Sequence, residues 1–231
     1  MGNCNNKRKA SLYQRIPWIA EYQEAFALLF FKEFHISKMY DLFDRVDKDH
    51  SGTVETLELF MALDIERTPF TKRVFSIFDE DNSGKIDFKE FVYAVWNYCT
   101  LGKTTLAVFA FDLYDKDSSG QIDIGEVIQM LKDVYGDNYM KNSHAKNIYS
   151  ELEKLACDDI DISEFLEFSR THPGLLFPAF NMQEIIRNRV LGAAFWEHYS
   201  QKRIQISKGK YTTIGNFMVR LSISNLLIYS H

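Results

Sequence analysis

The sequence predicts an all-α fold built from two pairs of helix–loop–helix units, and three observations support this. An acid-rich segment of twelve residues occurs three times, starting at Asp47, Asp79 and Asp115. Apolar residues before and after each copy recur at the same offsets, as on one face of a helix. The same apolar flanks occur a fourth time over 149–168, around a loop of different composition. We therefore expect paired units with a short β contact between the two loops of each pair, preceded by an N-terminal helix and followed by a C-terminal extension.

The composition is that of a folded chain with a sizeable core. Of the 231 residues, 46% are hydrophobic and 15% are aromatic. No apolar run reaches the roughly 18 to 20 residues that span a bilayer, and the N-terminus lacks the apolar middle of a secretory signal. The cysteines at positions 4, 99 and 157 form neither a disulfide framework nor a CxxC pair. We expect a cytoplasmic protein.

The first segment, 1–34, begins with a candidate lipid anchor. Gly2 after the initiator methionine is typical of N-myristoylation, Cys4 can accept a palmitoyl chain, and the basic residues 7–9 can contact anionic lipid. Together these signals would attach the protein to a membrane surface. A plain solvated basic terminus is the alternative, because Asn6 stands where the motif has Ser or Thr.

Each acid-rich segment has the spacing with which a short loop wraps a calcium ion. Acids occupy positions 1, 3, 9 and 12, serine occupies position 5, and glycine occupies position 6, where a sharp turn needs positive φ. The ion is bound by the side chains at positions 1, 3 and 5 and by the backbone carbonyl at position 7. Position 9 binds through a water molecule, and the glutamate at position 12 supplies both of its oxygens. The predicted ligands are Asp47, Asp49, Ser51, Thr53, Glu55 and Glu58 in loop 1; Asp79, Asp81, Ser83, Lys85, Asp87 and Glu90 in loop 2; and Asp115, Asp117, Ser119, Gln121, Asp123 and Glu126 in loop 3.

The helical flanks distinguish these loops from a chance acidic run, so the units are EF-hands. We expect three bound calcium ions, with Mg²⁺ able to occupy the calcium-free loops. Each loop carries a net charge of −3, so the three together carry −9 and the rest of the chain +4. The empty loops should therefore repel internally and become stiffer when filled.

A fourth EF-hand keeps its helices but not its ligands. Ile160, Asp161 and Glu164 fall at positions 8, 9 and 12, whereas Leu155 and Cys157 stand where oxygen ligands are needed. Glu153 occupies position 1, and Asp158 replaces the glycine at position 6. We expect this hand to be structural, with Ile160 facing Ile122 across a β contact, as Val54 would face Ile86 in the first pair.

Four EF-hands with an N-terminal helix and a C-terminal extension resemble the calcineurin B, calcineurin B-like and neuronal calcium sensor group. The resemblance covers roughly 22–180, and the stretch from Glu164 into His172-Pro-Gly-Leu-Leu is similar to the end of the last hand in calcineurin B-like proteins. It implies one EF-hand pair over 35–100, a second over 101–172 and an extension over 173–231. Calcineurin B itself has four competent loops, unlike this chain.

The resemblance also implies a groove that opens on calcium binding and accepts an amphipathic helix of a target protein. Phe60, Met61, Trp96 and Met130 are the candidates for its lining. Residues 21–34 are expected to form the N-terminal helix, with Phe26, Leu29, Phe30 and Phe34 on one face; core packing is the simpler interpretation of that face.

The C-terminal extension is basic and partly apolar, and several interpretations stay open. It can be an internal ligand that covers the groove, or a second contact to a membrane or partner. Its last stretch, FMVRLSISNLLIY, alternates like a strand; a loosely ordered tail is the alternative.

We predict a calcium sensor that regulates a protein kinase, a phosphatase or another effector, and not an enzyme. The histidines form no HExxH pattern, and there is no GxSxG motif or glycine-rich phosphate loop. The acidic balance disfavours nucleic-acid binding. The competing predictions are a calcium buffer, and a permanently loaded structural component of a membrane or cytoskeletal assembly.

Overall fold

The computed structural model describes residues 10–76, 78, 79, 81, 83–155 and 159–219, and it confirms the predicted all-α fold. Gly2, Cys4, Cys157 and Asp158 lie outside the described residues. Short 3₁₀ turns cover Pro17–Tyr22, Tyr139–Lys141 and Pro173–Leu176. The helices in chain order are α1 (Leu12–Arg15), α2 (Gln23–Leu28), α3 (Glu33–Val46), α4 (Thr56–Leu63), α5 (Pro69–Ser76), α6 (Phe88–Thr100), α7 (Lys103–Tyr114), α8 (Ile124–Tyr135), α9 (Ser143–Leu155), α10 (Ile162–Thr171), α11 (Phe177–Arg189) and α12 (Ala193–Ser207).

Two antiparallel strand pairs join the loops, with the predicted register. Strands β1 (Thr53–Glu55) and β2 (Lys85–Asp87) pair with Val54 opposite Ile86. Strands β3 (Gln121–Ile122) and β4 (Ile160–Asp161) pair with Ile122 opposite Ile160. All four of these β-branched side chains are fully buried, which suits residues that favour strand backbone.

The expected single helix over 21–34 is wrong, because the chain breaks at Phe30. Phe30 has a left-handed φ of 66°, and Phe31 N–H donates to the carbonyl of Phe26 at 3.0 Å, which ends α2. The indole of Trp96 donates to the Leu29 carbonyl at 3.1 Å. The hydroxyl of Tyr199 donates to the Phe30 carbonyl, also at 3.1 Å. Tertiary donors thus stabilise the break.

One consequence of the break is that the four apolar residues do not share a face. Phe26 and Leu29 are fully buried. Phe34 lies in the first turn of α3, and 54% of it is exposed.

The extension is packed on the EF-hands up to the last described residues. Helix α11 contacts α4, α5, α6 and α7, so it lies between the first and second pairs, and α12 packs along α6. Trp196 and Phe217 are fully buried. Residues 177–219 are therefore packed, whereas residues 220–229 of the final stretch lie outside the described residues. Residues 214–219 are helical, so the strand interpretation fails for the described start of the final stretch.

A buried ion pair joins the two EF-hand pairs. Arg73 on α5 donates from Nε to the Asp133 carboxylate on α8 at 3.3 Å, and the Asp133 side chain has no exposed area. Gln129 donates to the second oxygen of Asp133 at 2.7 Å. Within the described residues, no helix has both the length and the apolar character needed to cross a bilayer.

Candidate metal sites

The first aspartate of each loop is held by two backbone N–H groups. One of its oxygens accepts from the serine at position 5 at 2.9 Å in all three loops. The other oxygen accepts from the glycine at position 6 at 2.8, 2.9 and 2.8 Å in loops 1, 2 and 3. The same serine N–H also donates to the aspartate at position 3, at 3.2, 2.9 and 3.1 Å. The two aspartates are therefore brought to one side of a shared turn.

The glycines adopt the backbone conformation that the turn requires. Gly52, Gly84 and Gly120 have φ values of 82°, 81° and 79°. A Cβ added to any of them would have no atom within 4 Å. Glycine is thus required here by its left-handed backbone and not by lack of space.

In each loop, the serine hydroxyl at position 5 lies close to the oxygens at positions 1 and 7. The serine hydroxyl lies 3.0 Å from the carbonyl at position 7 in all three loops. It also lies 3.3, 3.4 and 3.3 Å from the aspartate at position 1. Convergent neutral and anionic oxygens are the ligands that a hard cation prefers.

The glutamate at position 12 lies in the first turn of the helix that follows the loop and caps the start of that helix. In loop 2, Asp87 accepts from the Glu90 N–H at 2.7 Å, and the Glu90 carboxylate accepts from the Asp87 N–H at 2.8 Å. Loop 3 has the same capping box between Asp123 and Glu126. Positions 9 and 12 therefore start a helix and lie in the metal loop at the same time.

Loops 2 and 3 bring three carboxylates together. Ligand atoms of Asp79, Asp81 and Glu90 lie within 4.8 Å of one another. The same holds for Asp115, Asp117 and Glu126. Among the described residues, the equivalent trio of loop 1 does not form such a group, although its turn matches the other two.

Hydrogen bonds keep the position-3 carboxylates ionised. The Ser83 hydroxyl, followed by its backbone N–H, lowers the pKa of Asp81, and Ser119 does the same for Asp117. Close by, burial and then the Asp115 carboxylate raise the pKa of Asp112. The lowered pKa of Asp81 and Asp117 favours their charged form, which a cation site needs.

In the fourth hand, the helix before the loop ends later than in the first and third hands. Helices α3 and α7 end at Val46 and Tyr114, one residue before position 1 of loops 1 and 3. Helix α9 instead continues to Leu155, so Glu153 at position 1 is helical and accepts from the Tyr149 hydroxyl at 3.1 Å. Only the exit is retained, where Asp161 and Glu164 form a capping box. This geometry supports a structural role for the hand.

The carboxyl end of α6 is covered by donors from the extension. The carbonyls in the last turn of a helix have no hydrogen-bond partners inside the helix. Here three side chains of the extension donate to these carbonyls. Arg203 donates to the Asn97 carbonyl at 2.8 Å, and Gln183 donates to Tyr98 and Leu101 at 2.7 and 3.0 Å. Arg187 donates to the Cys99 carbonyl at 2.8 Å.

Sequence reasoning missed these three donors. A signal was present for Arg203, because it follows Trp196 and Tyr199 at helical spacing on one face of α12. An arginine on an apolar face indicates a buried polar partner. Neither Gln183 nor Arg187 carried a comparable signal.

The four predicted groove residues do not line one open groove. Trp96 is fully buried beneath Arg203 and Phe217. Phe60 is buried against Phe75, at 4.4 Å between ring centroids, and Met130 is also buried. Met61 is 76% exposed and lies beside Leu42 and Arg45 instead.

Comparison with known proteins agrees with this geometry. A model of an EF-hand domain pair matches residues 36–95, and a model of an EF-hand domain matches residues 107–138. Calcineurin B from Naegleria gruberi is 36% identical over 143 residues, which are 61% of this chain and 80% of that protein. Calcineurin B from Yarrowia lipolytica is 32% identical over 140 residues, 58% of this chain and 80% of the relative. The type 2 calcineurin B of Bos taurus is 33% identical over 109 residues, 47% of this chain and 64% of the relative.

Fold, loops and matches together define an EF-hand calcium-binding protein. More narrowly, the chain belongs to the calcineurin B family. The predicted resemblance is confirmed. The N. gruberi relative aligns with 61% of the chain, so the chain also holds a substantial part without a counterpart in that alignment.

Proposed function

We propose that this protein is a non-catalytic calcium sensor that binds an amphipathic helix of a catalytic partner, a protein phosphatase or kinase. The position of α6 is the observation that carries the proposal. The start of this helix lies in loop 2, between positions 9 and 12. The extension packs on its apolar face and donates hydrogen bonds to its carboxyl end. The names of the relatives, which are those of a calcineurin component, favour the phosphatase.

The mechanism is closure of a loop around calcium by its last glutamate. In sensor EF-hands, this closure moves the exiting helix and uncovers apolar surface. In loop 2 the helix that would move is α6, and the extension packs along it. The extension therefore acts as an internal ligand, which calcium loosens and a partner helix replaces.

Loop 2 and the extension also share a cavity of about 330 Å³. Glu90, Tyr98 and Asp112 line it from the EF-hands, and Tyr211 and Ile214 line it from the extension. Glu90 therefore belongs both to the carboxylate group of loop 2 and to a wall of the cavity that the extension lines. This second connection supports coupling between loop 2 and the covered face.

A calcium titration in millimolar Mg²⁺ tests the proposal. Metal uptake and binding of a hydrophobic dye are followed on the same samples. We expect three ions to bind, with a rise in dye fluorescence near micromolar calcium. Calcium-dependent capture of a calcineurin-type catalytic subunit should follow the same curve.

The same titration separates the competing functions. Uptake without new dye binding and without capture of the catalytic subunit would indicate a buffer. Retention of calcium in the presence of a chelator, with the dye signal unchanged, would indicate a permanently loaded structural component.

Attachment to a membrane surface through Gly2 and Cys4 is a separate part of the proposal, and it rests on the sequence alone. Intact mass after co-expression with an N-myristoyltransferase tests the first modification. We expect a myristoyl adduct on the natural chain and none on Gly2→Ala; an unmodified natural chain would leave the terminus as a solvated basic segment.

A further inference from the structure

The carboxyl end of α6 is built as a recognition site for a guanidinium group. Arg203 is only 4% exposed, and its four hydrogen bonds end on neutral oxygens. Nη1 donates to the Asn97 carbonyl at 2.8 Å and to the Thr100 hydroxyl at 2.9 Å. Nη2 donates to the Asn97 side-chain oxygen at 2.9 Å and to the Thr212 carbonyl at 2.6 Å.

Two aromatic rings complete this site. The guanidinium carbon of Arg203 lies 5.0 Å from the ring centroid of Trp96 and 5.9 Å from that of Phe217. Ring faces attract a cation, and the carboxyl end of a helix carries partial negative charge. These groups stabilise the guanidinium, although burial lowers the pKa of Arg203 to about 10 and no carboxylate takes part in these bonds.

Most of the groups around Arg203 belong to α6, a helix of the second EF-hand, and not to the extension. Trp96, Asn97 and Thr100 all lie on α6, whereas Thr212 and Phe217 arrive with the extension. When the extension leaves, the α6 groups stay behind and water can bond them. A helix that covers them again must bring new donors, because buried carbonyls without partners are costly. A replacing helix that brought only apolar side chains would leave them unpaired.

We infer that the partner helix that displaces the extension carries an arginine, which inserts beside Trp96 and bonds the Asn97 carbonyl and Thr100 hydroxyl in place of Arg203. This inference rests on the proposed function, and it adds the chemistry of the partner. Arginine is required in place of lysine because the planar guanidinium donates to several oxygens at once. Its flat face can also stack on the aromatic ring of Trp96. The residue thus selects among amphipathic helices that share an apolar face.

The test uses full-length protein and synthetic peptides. The probe is a fluorescein-labelled peptide with the sequence of 193–219, made with Arg, Lys or Gln at the position of Arg203. The acceptor is full-length Arg203→Ala, whose own extension is weakened, in calcium. Full-length Arg203→Lys serves as a second acceptor if the alanine variant does not fold, as judged by its thermal melt.

We expect the arginine peptide to bind the acceptor, and the glutamine peptide to bind at least about tenfold more weakly. The lysine peptide should fall between them. The natural chain should bind all three peptides more weakly, because its own extension competes. Equal binding of the three peptides, or no binding of any, would overturn the inference.

Either failure can be told apart from failure of the proposed function. Equal peptide binding would remove the arginine requirement and still leave a groove that accepts helices. Absence of calcium-linked dye binding and partner capture in the titration above would instead remove the sensor itself.

Discussion

At the scale of the residue, calcium binding depends on a few oxygens at fixed spacing. Glu90 is the most informative of the predicted ligands, because its carboxylate both joins the cluster with Asp79 and Asp81 and accepts from the Asp87 N–H. Glu164 holds the same position in the fourth hand and accepts from the Asp161 N–H at 3.0 Å, without a complete ligand set. The two glutamates thus share a helix-capping role, and only one is a predicted ligand.

Glu90→Gln and Glu164→Gln form a matched pair of variants. Glu90→Gln should weaken calcium binding at the second site about tenfold or more, since a two-oxygen charged ligand becomes a neutral amide. Glu164→Gln should leave calcium affinity unchanged, although it loses a comparable cap. Isothermal titration calorimetry measures both. Equal affinities for the two variants would contradict the ligand assignment.

At the scale of the element, α6 links the metal loop to the extension. The thiol of Cys99 near its carboxyl end reports this contact. The side chain is fully buried, its carbonyl accepts from Arg187, and burial raises the pKa of the thiol. A buried thiol with a raised pKa is a poor nucleophile at neutral pH.

We predict that Cys99 resists alkylation while the extension is docked. In calcium-free natural protein, iodoacetamide should label it at least about 100-fold more slowly than in the unfolded chain. Arg187→Ala should speed the labelling, because the extension opens more often. Mass mapping of peptides separates Cys99 from the other cysteines. Labelling as fast as in the unfolded chain would contradict a covered α6.

The sequence could predict the loops but not the extension, for a physical reason. Ligand spacing is local, so Asp79 to Glu90 could be assigned from twelve residues, and the strand register followed from position 8. Contacts of α12 with α6 join residues about a hundred positions apart, as with Arg203 and Asn97. The break at Phe30 was missed for the same reason, because its stabilising donors come from distant Trp96 and Tyr199.

At the scale of the whole molecule, the two EF-hand pairs are held together by α11 and by one buried ion pair. Arg73 keeps 22% of its side chain exposed, and Asp133 none. Removal of one partner from a buried pair leaves an unpaired charge. A surface pair for comparison is Arg170 with Glu167, where both side chains are more than two-thirds exposed.

Arg73→Met should lower the free energy of unfolding by about 2–4 kcal/mol, somewhat less than for a fully buried pair. The matched change Arg170→Met should cost about 0–1 kcal/mol. Urea unfolding of the calcium-free proteins measures both. A loss no larger for Arg73→Met than for Arg170→Met would show that the pair does not hold the two halves together.

Coupling between calcium and the extension is the central claim, and thermodynamic linkage makes it reciprocal. If calcium loosens the extension, then full release of the extension must raise calcium affinity by the same factor, and a variant that weakens docking should raise it by up to that factor. Arg203 is the contact to remove, because its four hydrogen bonds tie α12 to α6 and to Thr212. Arg170→Ala, on an exposed helix face, is the control.

The most direct measurement is therefore the calcium affinity of folded Arg203→Ala by isothermal titration calorimetry, beside the natural chain and Arg170→Ala. We predict that Arg203→Ala binds calcium about fivefold more tightly or better, and that the control is unchanged. Unchanged or weaker binding by Arg203→Ala would contradict the coupling, and the extension would then be a fixed part of the fold.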